Sequence, residues 1–212
     1  MNLTRNALIV MMMAMFVLAI WVWEPLLRKG VGHFLYKEEY ANPMATKTNY
    51  SASFSKPYGG PFELIDQQGR SFSDQSLLGR PAAIFFGFTH CPEICPGTLS
   101  KLSIWYEQLG DPDLQIIFVT VDPERDTESL LDEYVSIFTA PIKALTGTPE
   151  QIADVAKAWG IYVKKVPLEN GDYTVDHTAT IFLQKSNGDF GGTISPMEDH
   201  EVALKKLENI LG

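Results

Sequence analysis

Apolar residues fall along this chain in two rhythms. Residues 82–88 form a strongly apolar run that leads straight into a pair of cysteines, and residues 115–121 form a second. Runs of this length suit central strands buried on both faces. Elsewhere the spacing is helical. Residues 97–109 carry Leu99, Leu102, Trp105 and Leu109 at three- and four-residue intervals, and residues 127–138 line up Leu130, Leu131, Tyr134, Ile137 and Phe138. Residues 61–66 alternate, 67–70 turn and 71–73 follow, which predicts a β-hairpin. Residues 143–146 predict a short connecting strand or turn.

The second half continues in the same way. Thr148 fits a helix N-cap, Pro149 the first helical position and Gln151 the reciprocal partner of a capping box. That helix is expected to run to Trp159 and stop at Gly160. A strand over 161–166, a polar loop over 167–173 and a strand near 178–184 follow. Asn187-Gly188 turns the chain into a last strand over 189–193. Ser195 to Glu198 repeats the capping pattern ahead of a closing helix over 201–211. Strands alternating with helices predict a mixed α/β sheet with helices on both faces and an N-terminal hairpin. This is the layout of a thioredoxin-like fold with insertions. Reactive groups in such sheets sit at the carboxyl ends of parallel strands, and the cysteine turn stands there.

The N-terminus follows neither rhythm. Residues 7–23 are seventeen apolar residues without a break, and Leu26-Leu27 extend them. A membrane-spanning helix needs about 17–25 such residues. Trp21 and Trp23 stand at one end, where aromatic belts form. No small-residue cleavage site follows between Trp23 and Lys29, so an uncleaved anchor over 7–27 is expected rather than a signal peptide. Arg5 precedes the span while Arg28 and Lys29 follow it, so charge alone does not orient it. Residues 28–58 mix Gly, Pro, Asn, Ser, Thr and charges, and read as a tether containing an incidental His33.

The chain has 212 residues, enough for one domain with a core. Net charge is −9 and unevenly spread: residues 51–212 carry twelve Lys and Arg against twenty-three Asp and Glu. An acidic domain argues against nucleic acid as a partner, because phosphate binding needs a basic face.

Cys91 and Cys95 are the only cysteines. Two thiols on a strand-to-helix turn can close a disulfide, exchange one with a partner or grip a soft metal. Pro96 suits a first helical turn, which would place Cys95 at or near the N-cap, where the dipole favours a thiolate. Ordinary oxidoreductases use two intervening residues, not the three found here. A peroxidatic T-x-x-C is absent, since Phe88 and Pro92 stand three residues before the two cysteines. Among the histidines, His90 is expected to point away from Cys91 if the chain there is extended. His200 reads as a surface residue. His177 stands ahead of a strand, with Asp176 as a candidate acceptor to aim its ring.

Several ordered motifs carry a resemblance. They are Gly59-Gly60-Pro61-Phe62, then Phe86-Gly87-Phe88-Thr89-His90-Cys91-Pro92-Glu93-Ile94-Cys95-Pro96, Val119-Thr120-Val121-Asp122-Pro123-Glu124-Arg125-Asp126-Thr127, Leu145-Thr146-Gly147-Thr148-Pro149 and Val175-Asp176-His177-Thr178. From about Gly59 onward the chain resembles the Sco family (Sco1/SenC type) of copper-binding assembly proteins for cytochrome c oxidase. The resemblance implies a metal site of Cys91, Cys95 and His177, with Asp122 close to it. It implies copper as both Cu(I) and Cu(II), since two soft thiolates suit the first and an imidazole helps hold the second. It implies delivery to cytochrome c oxidase subunit II, with other periplasmic copper chaperones or thioredoxin-like reductants as further partners. An alternative is a thiol-disulfide reductase with Cys91 and Cys95 as the redox pair, and a copper or redox sensor draws on the same residues.

Three departures touch no expected ligand: Glu93 for the common Asp, Glu128 for Pro, and Ile181-Phe182-Leu183 without the usual Tyr. With the domain exported, residues 1–6 are a cytoplasmic N-terminus, 7–27 the anchor, 28–58 the tether and 59–212 the copper-binding domain. The lack of an Arg- and Ser-rich presequence favours a bacterial inner membrane with the domain in the periplasm over the mitochondrial inner membrane.

Overall fold

The computed structural model describes residues 58–212 apart from 111 and 170. The expected anchor, His33 and nearly all of the tether lie outside the described residues. No described helix is long and apolar enough to cross a membrane.

Nine strands and four α-helices alternate through the described residues. β1 (Glu63–Asp66) and β2 (Ser71–Ser73) form the expected antiparallel hairpin. The Asp66 carboxylate closes its turn by accepting from the amides of Gln68 and Arg70. β3 (Ala82–Gly87) and β4 (Gln115–Thr120) run parallel, joined through helix α1 (Ile94–Gln108). Helix α2 (Glu128–Ser136) then returns the chain to β5 (Ile142–Thr146), which lies parallel to β4. β8 (Ile181–Gln184) and β9 (Phe190–Ile194) complete one seven-stranded mixed sheet in the order β2-β1-β5-β4-β3-β8-β9. Every residue of β3 is buried, so both of its faces are covered, as its continuous apolar run requires. The mixed α/β sheet with flanking helices is therefore present.

Helix α3 (Pro149–Ala158) carries the capping box read from its sequence. The Gln151 amide donates to Thr148 Oγ1 and the Thr148 amide to Gln151 Oε1. It ends at Gly160, whose φ of 66° is a conformation that glycine takes without strain.

Three elements depart from expectation, while the strand-or-turn reading of residues 143–146 resolves to a strand, β5, inside the sheet. Its polar Lys143 is tolerated because the ammonium reaches Asp66 Oδ2 at 3.1 Å. Helix α4 (His200–Leu211) is capped by Asp199, which accepts from the amides of Glu201 and Val202, whereas Ser195 and Glu198 close a separate turn just before it. Helix α1 begins at Ile94 with Glu93 as N-cap, three residues earlier than expected, so Cys95 is the second helical residue and not the cap. Finally, the strand expected over 161–166 is present as β6 (Val163–Pro167), but residues 173–177, read as the end of a loop and the lead into a strand, form a further strand β7 (Tyr173–His177) that pairs with it in an antiparallel ribbon separate from the main sheet. β7 was hidden because only its Val175 is buried and its sequence has no apolar run.

Candidate metal centre

Sheet topology explains how distant residues meet. β3 and β4 run parallel and both end at the same edge, Gly87 beside Thr120. β8 runs antiparallel to β3 with Ile181 opposite Phe85, so it begins where β3 ends. The segment before β8 is thus delivered to the carboxyl end of β3. That segment contains His177, the last residue of β7. The turn after β3 contains the cysteines. As a result, Cys95 Sγ and His177 Nε2 stand 3.7 Å apart although 82 residues separate them in sequence.

The turn is tightly pinned. The Cys91 amide donates to the Phe88 carbonyl at 3.3 Å, so residues 88–91 bend rather than extend. The Thr89 amide and hydroxyl both donate to Asp126, at 3.1 and 2.6 Å. Asp126 is fully buried and also accepts from Thr120 Oγ1 at 2.6 Å. Burial raises the pKa of this carboxyl, and the Thr120 and Thr89 donors oppose that. Asp126 was not anticipated as a site residue. Nothing in its spacing singles it out, though it shares the Asp122–Asp126 loop of the recognised motif.

Gly87 ends β3 where no side chain fits. A Cβ there would lie 2.8 Å from Cys95 Sγ and 2.7 Å from the Phe118 ring. The missing side chain makes the recess that Cys95 occupies, and Cys95 is fully buried while Cys91 is half-buried. Both are free thiols. The Cys95 amide points at Cys91 Sγ from 3.4 Å. Hydrogen bonding from Cys95 is the main reason the Cys91 thiol is lowered to about 4, against the opposing effect of burial. Cys95 moves the opposite way, pushed up by the Cys91 sulfur and by burial. The pair therefore shares a proton held by Cys95, leaving Cys91 the thiolate.

His177 is aimed by the main chain. Its Nδ1 lies 3.0 Å from the Thr178 carbonyl. A carbonyl only accepts, so Nδ1 carries the proton and Nε2 turns a lone pair toward Cys95. The Phe88 ring meets the imidazole edge-on, with centroids 5.7 Å apart. The acceptor expected for this role, Asp176, is exposed and pairs across the ribbon with Lys164. Successive residues of a strand face opposite ways, so Asp176 cannot hold the ring of its neighbour.

Asp122 is fully buried just past the end of β4, the position expected of it. Its oxygens accept from Arg125 Nε and from Tyr173 OH, the latter at 2.8 Å. The Arg125 guanidinium lies 3.8 Å from the centre of the Tyr173 ring. Asp122 thereby ties the β4 end to the ribbon that carries His177. His90 is exposed, with Nδ1 3.0 Å from Thr89 Oγ1. His200 is also exposed, as expected, yet its Nδ1 accepts from Trp105 Nε1 at 2.9 Å and so fastens α4 to α1.

The donor set fits a soft metal ion. Two donors held by one ion at ~2.0–2.3 Å stand roughly 3.5 Å apart at a tetrahedral angle, close to the thiol–imidazole separation here. Among the described residues no three His, Cys, Asp or Glu side chains are grouped closely enough to hold a metal ion.

Comparison with known proteins shows the family and the fold. The chain is 38% identical over 155 residues to the mitochondrial protein SCO2 of Saccharomyces cerevisiae, matching 70% of this chain and 51% of that one. It thus spans about half the length of that curated relative. It is similar to the copper-bound structure of ScoI from Bradyrhizobium japonicum, with a TM-score of 0.68 and 42% identity over 73% of this chain and 99% of that one. It is likewise similar to copper-bound yeast Sco1, with a TM-score of 0.67 and 36% identity over 71% and 86%. These likenesses identify the α/β sheet as the thioredoxin-like fold of those structures. A family model described as SCO1/SenC matches residues 51–212, most of the chain, and the chain belongs to that family.

Proposed function

We propose that this protein is a membrane-anchored copper metallochaperone. Its two thiols and one imidazole would carry copper as cargo to cytochrome c oxidase subunit II and support assembly of the binuclear copper site there. The observation that carries this reading is the approach of His177 Nε2 to Cys95 Sγ at 3.7 Å, with its lone pair fixed toward the sulfur. The ligands would be Cys91, Cys95 and His177. Two thiolates suit Cu(I), and the imidazole helps the site hold Cu(II) as well. Three ligands leave a position open for a partner's ligand during release. Asp122 would hold the ribbon, and so His177, in place. Residues 7–27 would anchor the domain at the periplasmic face of a bacterial inner membrane.

The test is copper titration of the reduced protein, followed by oxidation. One copper per chain is expected, with a thiolate-to-copper charge-transfer band that His177→Ala removes. A second reading is favoured by the Cys91 thiolate, the form that attacks disulfides. In that reading Cys91 attacks a disulfide in the oxidase copper site, one partner sulfur leaves as thiolate, and Cys95 resolves the mixed disulfide. A Cys91–Cys95 disulfide forms as the partner gains two thiols. Survival of copper affinity and oxidase assembly in His177→Ala, with loss of oxidase assembly in Cys91→Ser, would remove the chaperone reading and leave the reductase.

A further inference from the structure

We propose that His90 is a transit ligand. It would bind a soft metal ion briefly at the protein surface while the ion moves to or from the Cys91–Cys95–His177 set, and it takes no part in the resting site. The inference rests on the copper-site reading above.

The geometry of three side chains carries it. Thr89 Oγ1 donates its single hydrogen to Asp126 Oδ1 at 2.6 Å. The same oxygen lies 3.0 Å from His90 Nδ1, so toward the imidazole it can only accept. Nδ1 must therefore carry the ring proton, and the opposite nitrogen, Nε2, is left with an unprotonated lone pair. Asp126 Oδ1 lies behind this contact, 3.9 Å from Nδ1. Asp126 cannot swing away, because its other oxygen is held by Thr120 Oγ1 and the Thr89 amide. A buried carboxylate, a relaying hydroxyl and an imidazole in series is how proteins prepare a histidine to bind metal through its far nitrogen. His177 achieves the same tautomer through the Thr178 carbonyl.

His90 differs from His177 in exposure. Its side chain is 47% exposed, while its chain neighbour Cys91 is half-buried and Cys95 fully buried. Because the Phe88–Cys91 hydrogen bond bends the chain, His90 and Cys91 share one tight turn. The donors thus run inward from exposed imidazole to half-buried thiolate to buried thiol. Thr89 alone already joins the turn to Asp126, so bracing the turn does not require His90.

The test is kinetic and uses the whole protein in detergent, reduced and copper-free, with Cu(I) supplied as its bathocuproine disulfonate complex. His90→Ala should slow Cu(I) transfer from the chelator at least tenfold and slow release back to it equally. Affinity should stay within twofold and stoichiometry unchanged. His90→Met should recover most of the rate, because a thioether is also a soft donor for Cu(I). Unchanged rates in His90→Ala, or His90→Met as slow as His90→Ala, would overturn the proposal. So would an affinity loss matching the rate loss, which would make His90 a resident ligand. If the unsubstituted protein takes up no copper, the copper-site reading itself fails, and that result is seen before any variant is made.

Discussion

Cys91 and Cys95 are chemically identical and four positions apart, yet the fold gives them opposite preferences for a proton. Cys91 is the thiolate because Cys95 donates to it, and Cys95 keeps its proton because a sulfur anion and a closed core surround it. Alkylation of Cys91 by iodoacetamide should therefore stay near its full rate at pH 6, where an ordinary thiol of pKa ~8.5 is only about 0.3% thiolate. In Cys95→Ala the hydrogen bond is gone and the titration should move back up. The effect on stability has a definite sign. A lowered thiol stabilises the fold above its unfolded pKa and loses that as pH falls toward about 4. A raised thiol stabilises below its unfolded pKa and loses that as pH rises. The pair's contribution should thus climb from about pH 4 toward the ordinary thiol value and fall beyond it. At this scale the sequence marked the cysteines plainly. It raised His177 only with help from family motifs, and it missed Asp126 because a buried anchor has no signature but its burial.

Caps and turns were the most legible elements, since the residues that make them are neighbours in sequence: Thr148 with Gln151, and Gly160 after Trp159. The start of α1 was placed late because the apolar helical spacing begins only after Pro96, although Pro96 itself fits the first turn. The end of β3 bears most directly on chemistry. Gly87 is required there by contact with a neighbouring sulfur and not by a special backbone angle. Gly87→Ala would force Cys95 Sγ or the Phe118 ring aside. Overpacking of this kind costs about 1–3 kcal/mol, so urea denaturation should show that loss. Copper competition titrations should show a weakened site, because one ligand has moved relative to His177.

For the molecule as a whole, the fold class was readable because two apolar runs and four helical periods alternate in chain order. The strand β7 and its pairing with β6 were not, because residues 173–177 bury only Val175 and carry no apolar rhythm. That ribbon holds one candidate ligand while the main sheet and α1 position the other two. Two strands alone are only marginally stable in water, so the ribbon depends on Asp122, Arg125 and Tyr173 to stay docked. Hydrogen exchange should find the amides of residues 163–167 and 173–177 opening more readily than those of β3 and β4 in the metal-free protein. Copper should protect them selectively, since an ion shared between the ribbon and α1 would close the opening they exchange through. Equal protection of ribbon and sheet without copper would contradict this.

The acceptor that turns His177 toward the cysteines is the carbonyl of Thr178, an atom that every amino acid supplies. Its consequence is genetic. No codon specifies that group, so no missense change at position 178 deletes it. A search for suppressors or loss-of-function alleles would find the histidine and the thiols while passing over the atom that aims the ring. A side-chain carboxylate in that role can be lost in one mutational step; here the aiming group is built into the main chain.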